Sequence, residues 1–202
     1  MYRFDTFKLK LKLTHKPQFI QRKDADMENE KMTALGKAEP VEIERKYLIA
    51  YPDISWLESR PDCQRIEIEQ TYLVSAGGEE VRVRRRGADG RYTYFLTVKR
   101  KISDIKRVEV ENEITEEIYR QRLLDADPAK NTIRKTRYIL SAGARRFEID
   151  VYPFWQDRAI MEIELEREDE TIALPEGIRV LCEVTDDPRY KNAALATQIP
   201  NE

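Results

Sequence analysis

Residues 80–99 read EVRVRRRGADGRYTYFLTVK, and this stretch decides the fold class. Polar and apolar side chains alternate on both sides of the turn GADG, with an interruption at Phe95; Val83 lies on one parity and Arg82 and Arg84 on the other. Alternation with a period of two is typical of a β-strand, and an Asp-Gly turn between two such runs indicates a hairpin. The stretch therefore predicts two antiparallel strands that share one charged face.

Runs with the same alternation cover most of the chain from residue 41 onward, and glycine-containing turns separate several of them. Repeated hairpin spacing predicts an antiparallel sheet that closes into a barrel. Short helical patterns occur at Pro52–Ser59, Thr115–Leu124 and Pro188–Ala196, so the predicted class is α+β. The predicted strands are Val41–Ile49, Arg65–Val74, Glu80–Arg86, Arg91–Lys99, Arg107–Ile114, Thr132–Leu140, Arg145–Tyr152, Ala159–Glu166 and Val180–Val184.

The composition excludes several functional classes. Of 202 residues 37% are charged, but 36 Lys+Arg and 38 Asp+Glu leave a net charge of −2, so a polycationic nucleic-acid binder is excluded. One histidine, His15, makes a Ser-His-Asp site or a His-based zinc site improbable, and two cysteines without metal spacing indicate a reducing, cytoplasmic setting. No apolar run reaches the ~20 residues of a membrane span, and no glycine-rich loop is spaced to cradle phosphates.

The charged parity recurs on nearly every predicted strand, and the signs are sorted by strand. A sheet with one face in water explains any single strand. A solvated face usually mixes its signs, however, so the full set favours a tunnel lined by ionised groups. Desolvating each charge costs several kcal/mol, so such a tunnel must be wet or hold a ligand that pairs with both signs. A polyphosphate with divalent cations meets that requirement, because Lys and Arg bind phosphate oxygens and carboxylates bind hard cations.

Glu42-Ile43-Glu44-Arg45-Lys46 forms an ExExK motif, and further charged motifs follow it in order to about residue 200. The combination resembles the CYTH superfamily, the triphosphate tunnel metalloenzymes, and most of all its small stand-alone bacterial members. The other matching elements are Gln70–Leu73, Glu80–Arg84 (ExRxR), Thr97–Lys99 (TxK), Arg107–Glu111 (RxExE), Lys135–Arg137 (KxR), Glu162–Glu164 (ExE) and Glu183–Ala196.

The resemblance implies an eight-stranded antiparallel β-barrel, the triphosphate tunnel, with flanking helices and a C-terminal plug helix. It also implies hydrolysis of inorganic tripolyphosphate with Mg²⁺ or Mn²⁺, and assistance of the reaction by the pair Lys46 and Tyr72. The implied metal-binding carboxylates are Glu42, Glu44, Asp150, Glu162 and Glu164, with Glu109 and Glu111 as direct or water-mediated ligands. The implied substrate-binding residues are Lys46, Arg82, Arg84, Lys99, Lys135, Arg137 and Lys191.

Several alternatives stay open at this stage. Residues 1–38 form an extension, read either as a poorly ordered segment or as a basic strand that pairs with a sheet edge or an acidic partner; the tunnel domain spans 39–202. The rival functions are a class IV-type adenylyl cyclase, a thiamine triphosphatase and a non-catalytic polyphosphate or nucleotide sensor. A thiamine triphosphatase would favour an aromatic clamp, for which Trp56, Phe154 and Trp155 are candidates. We expect no membrane partner, and a homodimer is possible because small barrels with open edges often pair.

Overall fold

A computed structural model describes residues 43–75, 78–101, 107–167 and 169–200. The extension at 1–38 and the first motif residue, Glu42, lie outside this described part. The strands are Ile43–Ala50 (β1), Cys63–Leu73 (β2), Glu80–Ala88 (β3), Arg91–Lys101 (β4), Arg107–Ile114 (β5), Ile133–Ala142 (β6), Arg145–Val151 (β7), Arg158–Leu165 (β8) and Val180–Glu183 (β9). The helices are Ile54–Ser59 (α1), Glu116–Arg122 (α2) and Asn192–Leu195 (α3), with 3₁₀ turns at Leu123–Asp125 and Pro188–Tyr190.

The strands form one sheet in the order β5-β4-β3-β2-β6-β7-β8-β1-β9, and every paired neighbour is antiparallel. This confirms the predicted antiparallel architecture. The sheet has nine strands rather than the eight that the resemblance implied, because β9 pairs with β1 through Tyr47 and Leu48. Within the described residues, no hydrogen-bonded pairing joins the two outer strands β5 and β9.

The hairpin between β3 and β4 has the predicted geometry. Ala88 pairs with Arg91, so the loop has two residues, and both take a positive φ: 52° at Asp89 and 76° at Gly90. A two-residue turn with positive φ at both positions matches the right-handed twist of the strands, and Asp-Gly is a favoured sequence for it. The turn therefore sets the β3–β4 register, which places Arg82 opposite Thr97 and Arg84 opposite Phe95.

The outer face of the sheet carries the apolar parity, and two helices cover it. Leu57 of α1 is fully buried in a cluster with Met161 and Ile163, whereas Tyr119 of α2 packs on Leu73 and Val83. Both helices have a side-chain N-cap: Asp53 accepts from the Trp56 amide and Thr115 from the Ile118 amide. On α2, Tyr119 is buried whereas Ile118 is exposed.

The opposite face is the lumen face, which carries Lys46, Arg84, Arg137 and Glu162, and the sheet curls around it. Tyr72 of β2 and Leu48 of β1 belong to one buried cluster, although three strands separate β2 from β1 in the sheet order. A cluster shared by strands so far apart in the sheet order is compatible with a sheet that bends toward its lumen face. The bend agrees with the barrel-like tunnel that the sequence predicted.

The C-terminal segment closes one end of the lumen face. Tyr190, Leu195 and Ala196 are buried in the same cluster as Leu48 and Tyr72. The predicted helix Pro188–Ala196 is in fact broken, because extended backbone at Lys191 separates a 3₁₀ turn from the four-residue α3. The C-terminal plug is therefore an apolar segment packed into the core, but it is not one continuous helix. No helix within the described ranges is long and apolar enough to cross a membrane.

Candidate active site

The strand registers bring the predicted charged residues onto the lumen face. Lys46 of β1 lies opposite Glu162 of β8, and Glu44 lies opposite Glu164 one step nearer the start of β1. In the other half of the strand order, and on the same face, Arg82 of β3 lies opposite Tyr72 of β2 and Thr97 of β4. The predicted acidic and basic residues therefore lie on one face of the sheet, where side chains of opposite sign on neighbouring strands are close enough to pair.

One group of charges is saturated by its own partners, and we call it the closed network: Lys135, Arg137, Glu148, Asp150 and Glu162. Arg137 binds Asp150 in bidentate fashion, with Nε to Oδ1 and Nη2 to Oδ2 both at 2.7 Å. Lys135 also donates to Asp150, and Arg137 contacts Glu148 and, at 3.1 Å, Glu162. Because the side chain of Asp150 has no exposed surface, this network is a buried multi-ion cluster.

Burial and mutual pairing shift the pKa values within the closed network. Burial alone would raise the pKa of Asp150, but Arg137 and Lys135 outweigh it and lower that pKa to about 2. Burial, together with the nearby Arg137, lowers the pKa of the Lys135 ammonium to about 8, against the attraction of Asp150 and Glu162. The carboxylate thus stays ionised, whereas Lys135 titrates more readily than an ordinary lysine.

Lys46 and its carboxylates lie beside the closed network. The Lys46 ammonium is 2.8 Å from Glu162 and 3.8 Å from Glu44, and only 8% of its side chain is exposed. Burial would lower the pKa of Lys46, but Glu162 and Glu44 raise it above the ordinary value. Glu44 and Glu164 are exposed and face each other across β1 and β8. Two opposed carboxylates near solvent are suited to a hard divalent cation.

The basic side chains of β3 form a second group, the arginine row: Arg82, Arg84 and Arg86. Arg82 is 3.4 Å from Glu109, which also binds Lys99 at 2.7 Å. Arg84 is 2.6 Å from Glu111, which also accepts from the Thr97 hydroxyl at 2.8 Å. Glu109 and Glu111, predicted as metal ligands, are therefore the ion-pair partners of the row in this structure, and their metal role stays a prediction.

Two donors of the arginine row are buried without an acceptor. Among the described side chains, the Nε atoms of Arg82 and Arg84 are the buried polar atoms that make no hydrogen bond. Only 10% and 14% of these two side chains are exposed. Burial and the neighbouring Arg82 lower the pKa of Arg84. A buried guanidinium donor without a partner is costly, so these two positions indicate acceptor oxygens that arrive with a ligand.

Tyr72 lies on the lumen face between the row and the plug. It is 2% exposed, and its hydroxyl accepts a 3.1 Å hydrogen bond from Gln70, which is itself 1% exposed. Burial, followed by Glu80, raises the pKa of the Tyr72 phenol, although Arg82 and Gln70 oppose the shift. Among the described side chains, the Lys46 ammonium contacts Glu44 and Glu162, so the cooperation of Lys46 with Tyr72 that the resemblance implied stays a prediction. Gln70 opens the matching element Gln70–Leu73, but the sequence assigned no role to its side chain, because its contact with Tyr72 becomes visible only in the structure.

The three candidates for the aromatic clamp of a thiamine triphosphatase are packing residues in this structure. Trp155 is buried against Tyr152 and Tyr190 beneath the plug, and Phe154 stacks on Tyr152 with centroids 5.0 Å apart. Trp56 lies on the outer face beside Gly177. All three aromatic side chains therefore pack against other side chains of the protein in this structure.

The plug touches the closed network through one hydrogen-bonded tyrosine. The Tyr152 hydroxyl donates to Asn192 at 2.9 Å, and the Lys135 ammonium lies 5.7 Å from the Tyr152 ring centre. Lys191 is half-buried in the break between the two helical turns. Its predicted phosphate contact stays a prediction.

Comparison with known proteins agrees with this geometry. The family model of the CYTH domain matches residues 40–195. The chain belongs to the CYTH family. It is 32% identical to the inorganic triphosphatase of Nitrosomonas europaea over 164 residues, which is 79% of this chain and 99% of that protein.

Solved structures of the same kind share the fold. The structure of the inorganic triphosphatase NE1496 is similar with a TM-score of 0.53 and 28% identity over 82% of this chain and all of that one. A structure described as the hypothetical protein NE1496 gives a TM-score of 0.54 and 30% identity, over 79% of this chain and all of that one. The family that the motifs of the sequence resembled is thus confirmed.

Proposed function

We propose that this CYTH protein hydrolyses inorganic tripolyphosphate to phosphate and pyrophosphate on its lumen face. The observation that carries the proposal is the pair of buried Nε donors on Arg82 and Arg84, two residues apart on one strand face. A ligand that satisfies both must carry several anionic oxygens in a line, as a short polyphosphate does. The similarity to inorganic triphosphatases supports the same substrate.

Substrate binding exchanges one set of ion pairs for another. Arg82, Arg84 and Lys99 are each held by Glu109 or Glu111 across β4 and β5. Phosphate oxygens compete with these carboxylates for the same donors, and a planar guanidinium binds phosphate through two parallel hydrogen bonds. Cations positioned before the reaction stabilise the charge that spreads over the transferred phosphoryl group. Water attacks a terminal phosphorus, the bridging P–O bond breaks, and pyrophosphate leaves.

The carboxylates near the start of β1 fit a divalent metal. Glu44 and Glu164 are exposed and opposed, and Glu44 is 3.8 Å from the Lys46 ammonium, whereas Glu162 is buried beside Lys46 at 2.8 Å. The described residues alone supply no preformed cluster of three ligands, and Glu42 of the ExExK motif lies outside them. We assign Glu42, Glu44 and Glu164 to Mg²⁺ or Mn²⁺, and Glu162 would join them by exchanging its contacts with Lys46 and Arg137 for the metal. A bound divalent cation would neutralise phosphate charge and lower the pKa of a bound water.

The test is the release of phosphate from tripolyphosphate by the full chain with Mg²⁺, Mn²⁺ or no metal. We expect one phosphate and one pyrophosphate per tripolyphosphate, and a loss of at least a hundredfold in Glu44→Gln. Glu117→Gln is the matched control, because Glu117 is an exposed glutamate on the outer helix α2. It should leave the rate unchanged.

Three results would contradict the proposal. Cyclic AMP and pyrophosphate from ATP would indicate an adenylyl cyclase, and a strong preference for thiamine triphosphate would indicate a thiamine triphosphatase. Tight tripolyphosphate binding without turnover in any divalent metal would indicate a sensor. Full activity in a Glu42→Ala/Glu44→Ala double variant would overturn the metal assignment alone.

A further inference from the structure

The arginine row extends one residue beyond the motif that the family resemblance uses. Arg86 has the same parity as Arg82 and Arg84, and it lies opposite Ile68 of β2 and Thr93 of β4. A strand rises about 3.3 Å per residue, so the row from Arg82 to Arg86 is about 13 Å long. That length exceeds the span of the three phosphorus atoms in tripolyphosphate.

The third arginine is held differently from the first two. Arg82 and Arg84 each bind the glutamate two strands away, Glu109 and Glu111. The same step would give Arg86 the partner Glu113, which β5 places opposite Phe95. Instead the Arg86 guanidinium lies over the Phe95 ring, 4.2 Å from its centre. In the part of the chain that the structure describes, no carboxylate forms an ion pair with it.

Stacking on Phe95 orients Arg86 without consuming its hydrogen-bond donors. A guanidinium over an aromatic face keeps its N–H groups in its own plane, where they remain available to an anion. Phe95 is 8% exposed and also lies 5.9 Å from Arg84, so the ring is a fixed support on the lumen face between the two cations. Arg86 itself is exposed. The row therefore ends in a positioned cation that no described carboxylate neutralises.

We infer that Arg86 and Phe95 form a subsite for a fourth phosphate group, so that the tunnel accepts linear polyphosphates longer than three phosphates. This inference rests on the proposed function, because it extends the same row of phosphate donors. A fourth phosphate adds negative charge and acceptor oxygens beyond the reach of Arg84. A guanidinium matches those oxygens, whereas the carboxylates that hold Arg82 and Arg84 would repel them.

The test measures binding rather than turnover. Tripolyphosphate, tetrapolyphosphate and ATP are titrated into the full chain by calorimetry in EDTA at constant ionic strength. Wild-type protein should bind tetrapolyphosphate about tenfold more tightly than tripolyphosphate, the effect of one charge-assisted hydrogen bond. Arg86→Gln should abolish this preference, and Arg86→Lys should keep only part of it because ammonium neither stacks nor binds in bidentate fashion.

Arg85→Gln is the matched control. Arg85 is the adjacent residue and stacks on Tyr92 at 4.8 Å, but it lies on the outer face with Glu69 as its ion-pair partner. It should keep the tenfold preference. Phe95→Leu should reduce the preference, because the guanidinium then lacks its support.

Each outcome decides the inference. An unchanged ratio of tetrapolyphosphate to tripolyphosphate affinity in Arg86→Gln overturns the subsite. An equal loss for tetrapolyphosphate and ATP overturns its assignment to phosphate, since ATP places a nucleoside where the fourth phosphate would be. Failure of the wild-type protein to bind any polyphosphate in EDTA overturns this inference, and failure that persists when Mg²⁺ is added overturns the proposed function as well. Binding with the expected ratios but no hydrolysis would contradict only the proposed function.

Discussion

The closed network and the arginine row lie on the same face of one sheet, but they treat their charges in opposite ways. Arg137 binds three carboxylates, and Asp150 is fully buried between Arg137 and Lys135. In the row, by contrast, Arg82 and Arg84 have one carboxylate each and a buried Nε without a partner. A saturated cluster holds the fold, whereas an unsaturated one is prepared for a ligand.

Removal of the Asp150 carboxylate is the most direct test of the difference between the closed network and the arginine row. Asp150→Asn leaves Lys135 and Arg137 buried with too little negative charge, and we expect a loss of about 3–5 kcal/mol in the free energy of unfolding. Urea denaturation followed by circular dichroism measures it. Glu111→Gln in the row should cost less than about 1 kcal/mol, since Glu111 is partly exposed. Equal losses in the two variants would show that the closed network is no more structural than the row.

The second prediction concerns Arg84. Arg84→Lys keeps the charge but removes the planar donor set, so kcat/KM for tripolyphosphate should fall by about 10²–10³-fold. The free energy of unfolding should hardly change, because the wild-type guanidinium already has an unpaired buried donor. Steady-state kinetics and urea denaturation on the same preparation separate the two quantities. A large loss of stability with unchanged kcat/KM would place Arg84 among the structural charges.

Sequence reasoning found the face on which these residues lie but not the difference between them. Strand parity and order place Arg84 and Arg137 on the lumen face without knowledge of the fold, because a strand has a strict period of two. Whether a guanidinium contacts three carboxylates or one depends on the strand register and on the curvature of the sheet. These place carboxylates of β7, and of β8 beyond it, within reach of Arg137 on β6. Asp150 illustrates this: the resemblance implied it as a metal ligand, and in this structure its two oxygens accept from Arg137 and Lys135. Its metal role stays a prediction.

Two further features depend on long-range contacts in the same way. The Asp187-Pro188 start of the last helical segment was readable as an N-cap with proline, and the structure has that cap. The extended backbone at Lys191 carries no local signal, because it follows from packing Tyr190 and Leu195 into one cluster under the barrel. Likewise, the stacking of Arg86 on Phe95 needs the β3–β4 register in addition to composition.

The third prediction concerns the pH dependence of the free energy of unfolding, to which Asp150 of the closed network contributes. The pKa of Asp150 is about 2 in the folded protein against an ordinary value of 3.8. A lowered carboxyl pKa stabilises the fold above the unfolded value, and this stabilisation is lost as pH falls from about 4 toward 2. The loss amounts to about 2 kcal/mol. Urea midpoints between pH 5 and pH 2 should show it in the wild type and not in Asp150→Asn; parallel curves would remove Asp150 from the ion-pair cluster.

The smallest predicted effect links the metal carboxylates to the row. Tripolyphosphate that binds Arg82 and Arg84 displaces Glu109 and Glu111, and divalent cations favour carboxylates and phosphate oxygens together. Mg²⁺ therefore offsets the negative charge of tripolyphosphate and of the displaced carboxylates. We expect Mg²⁺ to tighten tripolyphosphate binding about tenfold, measured in a variant with slow turnover. Calorimetry of Arg84→Lys with and without Mg²⁺ measures the factor. Thermodynamic reciprocity requires tripolyphosphate to tighten Mg²⁺ binding by the same factor. Tripolyphosphate binding that is unchanged or weaker with Mg²⁺ would contradict the prediction.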